Sequence, residues 1–386
     1  MTLVQDEDHG AMQDAANRLL QQRSGLGRRR ARLAGQDGLD RLLWTRFAEM
    51  GWLGWTVPEA ATGLGQGLAG PMALVETMGR HLVLEPFQEG ALAASRLLMR
   101  LGDAAQQAAL LPGIVDGTAL TLPAHEELGA RYALSCVQTR ARRDPQGWCL
   151  DGAKAAVPFG PDADRLLVTA RTGGALDAQD GISLFVVERG NAGLSWQPGR
   201  GIDGTPTADL QLQGLRLPHT ALLGPEGGAF GALASAQAVL LAAACADAVG
   251  TMQALLETTR DHAQIRRQFG QPLGSFQVIA HRLVDMFTQI ELSRSMAALA
   301  AREADGATQG PPQWLRLSAS KVQISAACQV VGEHAIQIHG GIGMTDELAA
   351  SHLYRRLIAI ERRLGDRFHH LGQLAAAISA GGGLYA

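Results

Sequence analysis

Two short stretches decide how this chain is read. The first is Arg266-Arg267-Gln268-Phe269-Gly270, continuing through Pro272, Leu273, Gly274, Ser275, Phe276 and Gln277. The second is Gln337-Ile338-His339-Gly340-Gly341-Ile342-Gly343-Met344-Thr345. The first sets a guanidinium, an aromatic face and a carboxamide just ahead of a helix-forming run, a combination that suits a diphosphate and a flat heterocycle. The second is a glycine-rich helix end, where backbone N–H groups can approach a phosphate with no Cβ in the way. Either stretch alone reads as a loop joining two helices.

Around these stretches the sequence has helical periodicity. Leu283, Met286, Phe287 and Ile290 fall at i, i+3, i+4 and i+7. Ser275 and Thr345 are expected as N-caps, and Gly306 with Pro311-Pro312 as a break between helices. The apolar, alanine-rich run from Phe230 to Met252 is interrupted by Gln237, Asp247 and Gly250 and reads as a buried helix, not a membrane span. Upstream the period changes. Leu210 to Gln213 alternates strictly and carries on to Leu217, and Leu166–Thr169 and Ile182–Val187 are β-rich. Asp151-Gly152 is expected as a hairpin turn. Before Asp116-Gly117 the pattern is helical again, through Leu19, Leu20, Leu43, Phe47, Met72, Leu74, Val75 and Met78, with breaks at 63–70 and Pro112-Gly113. The expected division is a helical region over 1–118, a β-region over 119–224 forming a small barrel or sandwich, and a helical bundle over 225–386. The βαβ rhythm and the G-x-G-x-x-G turn of a dinucleotide-binding Rossmann domain are missing.

Composition narrows the function. The chain has 386 residues, and single cores rarely grow past about 250–300, so more than one packed layer is expected. Net charge is −3, which gives no field favouring nucleic acid or an anionic membrane. Among the 34 basic residues only Lys154 and Lys321 are lysines. Cys136, Cys149, Cys245 and Cys328 are scattered without a C-x-x-C pair, so no metal site is expected and they read as buried free thiols. The stretch Asp6-Glu7-Asp8-His9 is acidic where a secretory leader would be basic, so a cytoplasmic location is expected.

The two opening stretches, in this helix–strand–helix order, closely resemble the acyl-CoA dehydrogenase family over essentially the whole chain. The resemblance implies an N-terminal helical domain, a middle β-barrel domain and a C-terminal four-helix bundle. It implies FAD as cofactor, α,β-desaturation of an acyl-CoA thioester, and a dimer or dimer of dimers with FAD across a subunit interface. It also implies that Arg266, Phe269, Gln277, Gln337, Gly340 and Gly341 contact the ADP half of an FAD bound mainly by the neighbouring subunit, with an electron-transfer flavoprotein as acceptor.

The catalytic half departs from the family pattern. The usual glutamate base, counted from Gly340, falls in Arg363-Leu364-Gly365-Asp366, where Leu364 takes its place. The family's second location, counted back from Arg266, is Leu240. Leucine cannot accept a proton, so no residue of this chain is expected to be the catalytic base. Leu122-Pro123-Ala124-His125-Glu126-Glu127 replaces a flavin-side stretch, and Ala156-Val157-Pro158 stands where a Trp-Ile-Thr segment would stack on the isoalloxazine. Proline offers no N–H. The combination, together with the run Tyr354-Arg355-Arg356-Leu357 to His369-His370-Leu371, resembles the small subunit of heterotetrameric (α2β2) acyl-CoA dehydrogenases of bacterial pimeloyl-CoA and steroid side-chain catabolism. The expected role is to complete the FAD site of a base-bearing homologous partner. Base-free chemistry on an acyl-CoA by a homomer, and a scaffold without FAD, are the alternatives.

Several other residues carry two readings. Glu361 and Asp366 flank Leu364 and either replace the base or pair with the adjacent arginines, the second being expected. His369-His370 is expected to be a helix-end pair, and His339 to line the site. Glu126 and Glu127 are weak candidates for approaching the flavin. Arg28-Arg29-Arg30 is expected as a solvated helix end and not as a CoA phosphate site.

Overall fold

A computed structural model describes residues 7–35, 38–306 and 311–381. Asp6 and the side chains of Glu7, Asp8, His9, Pro311 and Pro312 lie outside that description. Six helices come first: α1 (Glu7–Arg23), α2 (Leu26–Ala34), α3 (Arg41–Glu49), α4 (Ala69–Arg80), α5 (Ser95–Leu101) and α6 (Ala104–Val115). Eight strands follow: β1 (Thr121–Ala124), β2 (Arg140–Asp144), β3 (Gly147–Pro158), β4 (Arg165–Arg171), β5 (Ile182–Glu188), β6 (Leu194–Arg200), β7 (Pro206–Leu217) and β8 (Leu222–Leu223). The chain ends with α7 (Phe230–Ile265), the short strands β9 (Arg267–Gln268) and β10 (Gln271–Pro272), and helices α8 (Gln277–Ala304), α9 (Pro311–His339), α10 (Ala349–Arg362) and α11 (Arg367–Ser379).

These elements fall into two compact units. One comprises α3, α5, α6, β1–β8 and α7 as far as Leu240. Its sheet runs β6-β7-β3-β2-β4-β5-β8, with β1 pairing parallel to β4. The alternation along β7 is borne out: Leu210, Leu212, Leu215 and Leu217 are buried and Gln211, Gln213 and Arg216 are exposed. Leu97, Leu98, Leu111 and Ile114 from α5 and α6 pack with Leu167, Ile182, Leu184 and Leu223 of the sheet and with Leu233 of α7. Two expected breaks are absent. Pro112 lies inside α6, and Asp151-Gly152 lies inside β3, because the β2–β3 turn is at Asp144–Gly147. Asp151 stays in the strand by accepting from Gly214 N–H at 2.7 Å and from Arg142 at 2.9 Å.

The other unit comprises α1, α2, α4, α7 from Leu241 onward and α8–α11. Here α9 packs against α8, α10 and α11. Helices α4 and α7 meet backbone to backbone: a Cβ on Gly79 would lie 2.4 Å from Asp247 O, and one on Gly250 would lie 1.8 Å from Glu76 O. This contact explains why small residues stand where large apolar ones would give more buried area. On α8, Met286 and Ile290 are buried, but Phe287 faces solvent. Arg29 is not solvated: it is buried and donates to Leu82 O at 3.0 Å. Among the described residues α7 is long and apolar enough to cross a membrane, and 78% of its most apolar stretch is buried inside the protein. Cys245 and Cys328 are buried as expected, whereas Cys136 and Cys149 are half-buried.

Candidate functional site

The first opening stretch leaves α7 under tight backbone control. Arg266 N–H donates to His262 O at 2.9 Å, and Leu273 N–H donates back to Arg266 O at 2.8 Å. Between them β9 and β10 form a two-stranded hairpin with Phe269 at its tip. Phe269 is in the left-handed backbone region (φ 52°) and 91% exposed, touching Phe276 edge to face at 6.1 Å. A phenylalanine in that conformation and outside the core contributes little to folding its own chain. Gln277 is exposed as the first residue of α8. Ser275 is not the cap: its hydroxyl donates to Pro272 O at 2.7 Å, and Phe276 occupies the N-cap position.

The second stretch is the end of α9 and a 3-10 turn over Gly340–Met344. Gln337 is exposed in the last helical turn. Gly340 has φ 66°, which only glycine adopts without strain. Gly341 has no such need, and a Cβ there would meet nothing within 4 Å. Its lack of a side chain therefore serves nothing within the chain's own packing. Thr345 is also not an N-cap: its hydroxyl donates to Ile342 O at 2.8 Å, and α10 starts after Leu348. Among the described residues, the side chains of Arg266, Gln277 and Gln337 make no hydrogen bond or ion pair.

What joins the two stretches is a contact the sequence did not reveal. The rings of His262 and His339 stack with centroids 4.5 Å apart and planes at 26°. His339 is buried, with Nδ1 2.9 Å from Ala335 O, so it lines the motif from inside. His262 sits four residues before Arg266, and the helical spacing of the pair was the one available signal.

The β-unit looks different. Lys154 is wholly buried, its ammonium donating to Glu127 (2.6 Å), Thr169 Oγ1 (2.9 Å) and His125 O (3.3 Å). Burial pushes that ammonium down to about 8 against the pull of Glu127. Burial pushes the Glu127 carboxyl up, but Lys154 and the donors at Thr139 and Gln138 override it and hold it below its ordinary value. His125, 3.0 Å from Thr169, is driven down to about 3 by burial and by Lys154. Glu127 is therefore a buried counter-ion and has no free carboxylate to offer a flavin. A cavity of about 550 Å³ lies alongside, lined by Gln138, Thr139, Lys154, Asp209 and Gln211. The neighbouring backbone is committed: Ala155 N–H donates to Glu126 O and Ala156 N–H to Asp209 Oδ1, both at 2.8 Å. Pro158 has no N–H to give.

The two leucine positions have different surroundings. Leu240 packs against the apolar core of the β-unit. Leu364 sits in the α10–α11 turn with φ 59°, its carbonyl 3.0 Å from His370 Nε2. Lys321 anchors that turn from beneath, donating to Ile360 O, Glu361 O and Gly365 O at 2.8–2.9 Å, a buried cation closing a helix C-terminus. Asp366 does not pair with an arginine: it N-caps α11 by accepting from His369 N–H at 2.8 Å. Glu361 lies 3.9 Å from Arg362. His370 is buried against Ser318 and Leu364 O and pushed down to about 4, so the His369-His370 pair belongs to the first turn of α11. Arg356 is engaged with the buried Asp247 of α7. Among the described residues no cluster of three potential metal ligands exists.

Comparison with known proteins agrees with this architecture. Residues 6–118, 124–215 and 240–378 match, respectively, the N-terminal, middle and C-terminal domains of acyl-CoA dehydrogenase. Mitochondrial isovaleryl-CoA dehydrogenase of Arabidopsis thaliana is 30% identical over 81% of this chain and 77% of its own length. The solved Tcur3481-Tcur3483 steroid ACAD is 30% identical, with TM-score 0.85 and coverage of 97% and 98%. The ChsE4-ChsE5 complex from Mycobacterium tuberculosis shares the fold at TM-score 0.87 and 22% identity, covering 98% and 99%. With its three regions matched in order, the chain belongs to the acyl-CoA dehydrogenase family, whose members are FAD-dependent.

Proposed function

We propose that this chain is one subunit of an acyl-CoA dehydrogenase, supplying the ADP-binding half of an FAD site whose flavin-contacting and base-bearing half comes from a homologous partner. The supporting observation is the split in polar commitment. Arg266, Gln277 and Gln337 are exposed with uncommitted side chains, and Gly341 leaves open space a Cβ would occupy. That set fits a diphosphate and an adenine: guanidinium and carboxamide donors, the Phe269 face, and backbone N–H groups at a glycine turn. At Ala155–Pro158 the donors are bonded within the chain or lacking, which does not fit an isoalloxazine. FAD, when bound, supplies the hydride acceptor of the desaturation.

Within that reading Arg266 holds diphosphate charge, Phe269 covers the heterocycle, and Gln277 and Gln337 fix its orientation by hydrogen bonds. Gly340 and Gly341 let the backbone come close. Leu240 and Leu364 cannot take the α-proton, so the proton leaves to a carboxylate on the partner. The likeness to a two-protein steroid ACAD supports an acyl-CoA of lipid or steroid origin and a heteromeric assembly, while the α2β2 stoichiometry and an electron-transfer flavoprotein as acceptor rest on the family resemblance alone. The test is to purify the chain alone and together with a co-expressed homologue carrying a carboxylate at the position of Leu240 or Leu364, then measure FAD content and dehydrogenation. Flavin loading and turnover are expected only in the complex. Full loading and turnover by the isolated chain would overturn the reading.

A further inference from the structure

We propose that the His262–His339 stack is the positioning element that fixes Arg266 against the Gly340–Gly341 turn, so that FAD affinity requires both rings to stay stacked and uncharged. This rests on the ADP-site reading above and adds to it a pair of residues and a pH dependence. Three features place the two motifs beside the stack. His262 carries Arg266 one helical turn away, through the 2.9 Å bond from Arg266 N–H to His262 O. His339 is the last residue of α9, immediately before Gly340. The turn then folds back over it: a Cβ on Gly343 would lie 2.8 Å from His339 Cβ. The 4.5 Å ring contact therefore links the ends of α7 and α9, from which the two motifs project.

The chemistry makes this bridge acid-sensitive. Ala335 O can only accept, so His339 Nδ1 carries the proton in its neutral form. Burial is the largest influence holding each ring below its ordinary value of 6.5. Like-signed charge from His339 and from Arg266 adds to it at His262. On His339 the Ala335 carbonyl works the other way and favours the charged form. The nearby Arg260 and Asp261 pair with each other at 2.8 Å. In the hairpin, Arg267 donates to Gly270 O at 3.3 Å. Two imidazolium rings at this distance repel each other, and among the described residues no carboxylate is ion-paired with either ring. As pH falls through 6.5 the separated rings bind protons more readily than the stacked ones, so acidification favours the separated arrangement.

The experiment measures FAD and ADP affinity from about pH 5 to pH 8, by flavin fluorescence and calorimetry, on the full chain in the assembly that loads flavin. Four forms are compared: wild type, His262→Ala, His262→Phe and Arg266→Ala. His262→Ala is expected to weaken both ligands by about 2- to 10-fold at pH 8, the worth of an aromatic contact. Wild-type affinity is expected to decline below pH 6.5. His262→Phe keeps a ring that cannot take a proton, so it is expected to retain the pH 8 affinity and flatten the acid limb. Unchanged affinity in His262→Ala, or an acid limb persisting unaltered in His262→Phe, overturns the inference while Arg266→Ala still impairs binding. Wild-type affinity in Arg266→Ala overturns the ADP-site reading and this inference together.

Discussion

The surroundings of Arg266 and Gly341 and the surroundings of Lys154 are both rich in polar groups and are built in opposite ways. At the first, Arg266, Gln277 and Gln337 stand in solvent with free donors, and Phe269 projects into water. At the second, Lys154, Glu127 and Thr169 are buried and His125 is half-buried, with their donors and acceptors matched to one another. The second region has the strongly perturbed ionisations, yet the first is the one we propose for an external ligand. Shifted ionisation marks burial as readily as function. An open donor with nothing to bond, next to a glycine with nothing to avoid, is the better guide.

This contrast can be broken experimentally. The largest effect is expected from Lys154→Met. It leaves Glu127 buried without its counter-charge, at a cost of about 3–5 kcal/mol in denaturant unfolding. The double variant Lys154→Met/Glu127→Leu should recover most of the loss, and an undiminished single variant would remove the structural assignment. Next is Arg266→Ala, expected to lower FAD affinity by about 10- to 100-fold, the worth of a charge-assisted contact, with thermal stability unchanged. A parallel loss of stability would mean that Arg266 supports the fold instead. A smaller effect concerns acid. Glu127 is held below its ordinary value of 4.5, so its stabilising contribution is present above that pH and is lost as pH falls below it. Glu127→Gln should lessen the acid-induced fall in stability, which urea titrations at stepped pH would measure. The smallest is Phe269→Ala, expected to change unfolding free energy by no more than about 0.5 kcal/mol because the ring is exposed. A larger change would show that the hairpin tip is part of the folding core.

Much of the architecture was legible because it rests on periodicity. The alternation from Leu210 to Leu217 reads as a half-buried strand, and the alanine-rich run from Phe230, broken by Gln237, Asp247 and Gly250, reads as a core helix. Local signals fared worse wherever long-range contacts competed with them. Ser275 and Thr345 looked like caps, yet each hydroxyl turns back to a carbonyl three residues earlier. Asp151-Gly152 looked like a turn, yet pairing with β7 and the bonds to Arg142 and Gly214 hold it in a strand. Arg29 sits in a basic run but is drawn inside by Leu82 O.

The sequence by itself determined the family and the order of helical and β regions, and it led us to propose Leu240 and Leu364 as the positions where a base would stand. These depend on residue type at fixed spacing, which needs no folding to be read. Only the tertiary structure decided which polar groups are committed. Glu127 became a counter-ion because Lys154 of β3 reaches it, Asp366 became a cap because α11 begins beside it, and His262 met His339 because α7 and α9 end together. The Glu127–Lys154 and His262–His339 pairings cross 27 or more residues and are set by packing, which leaves no local signature in the chain, whereas the Asp366 cap reaches only three residues ahead.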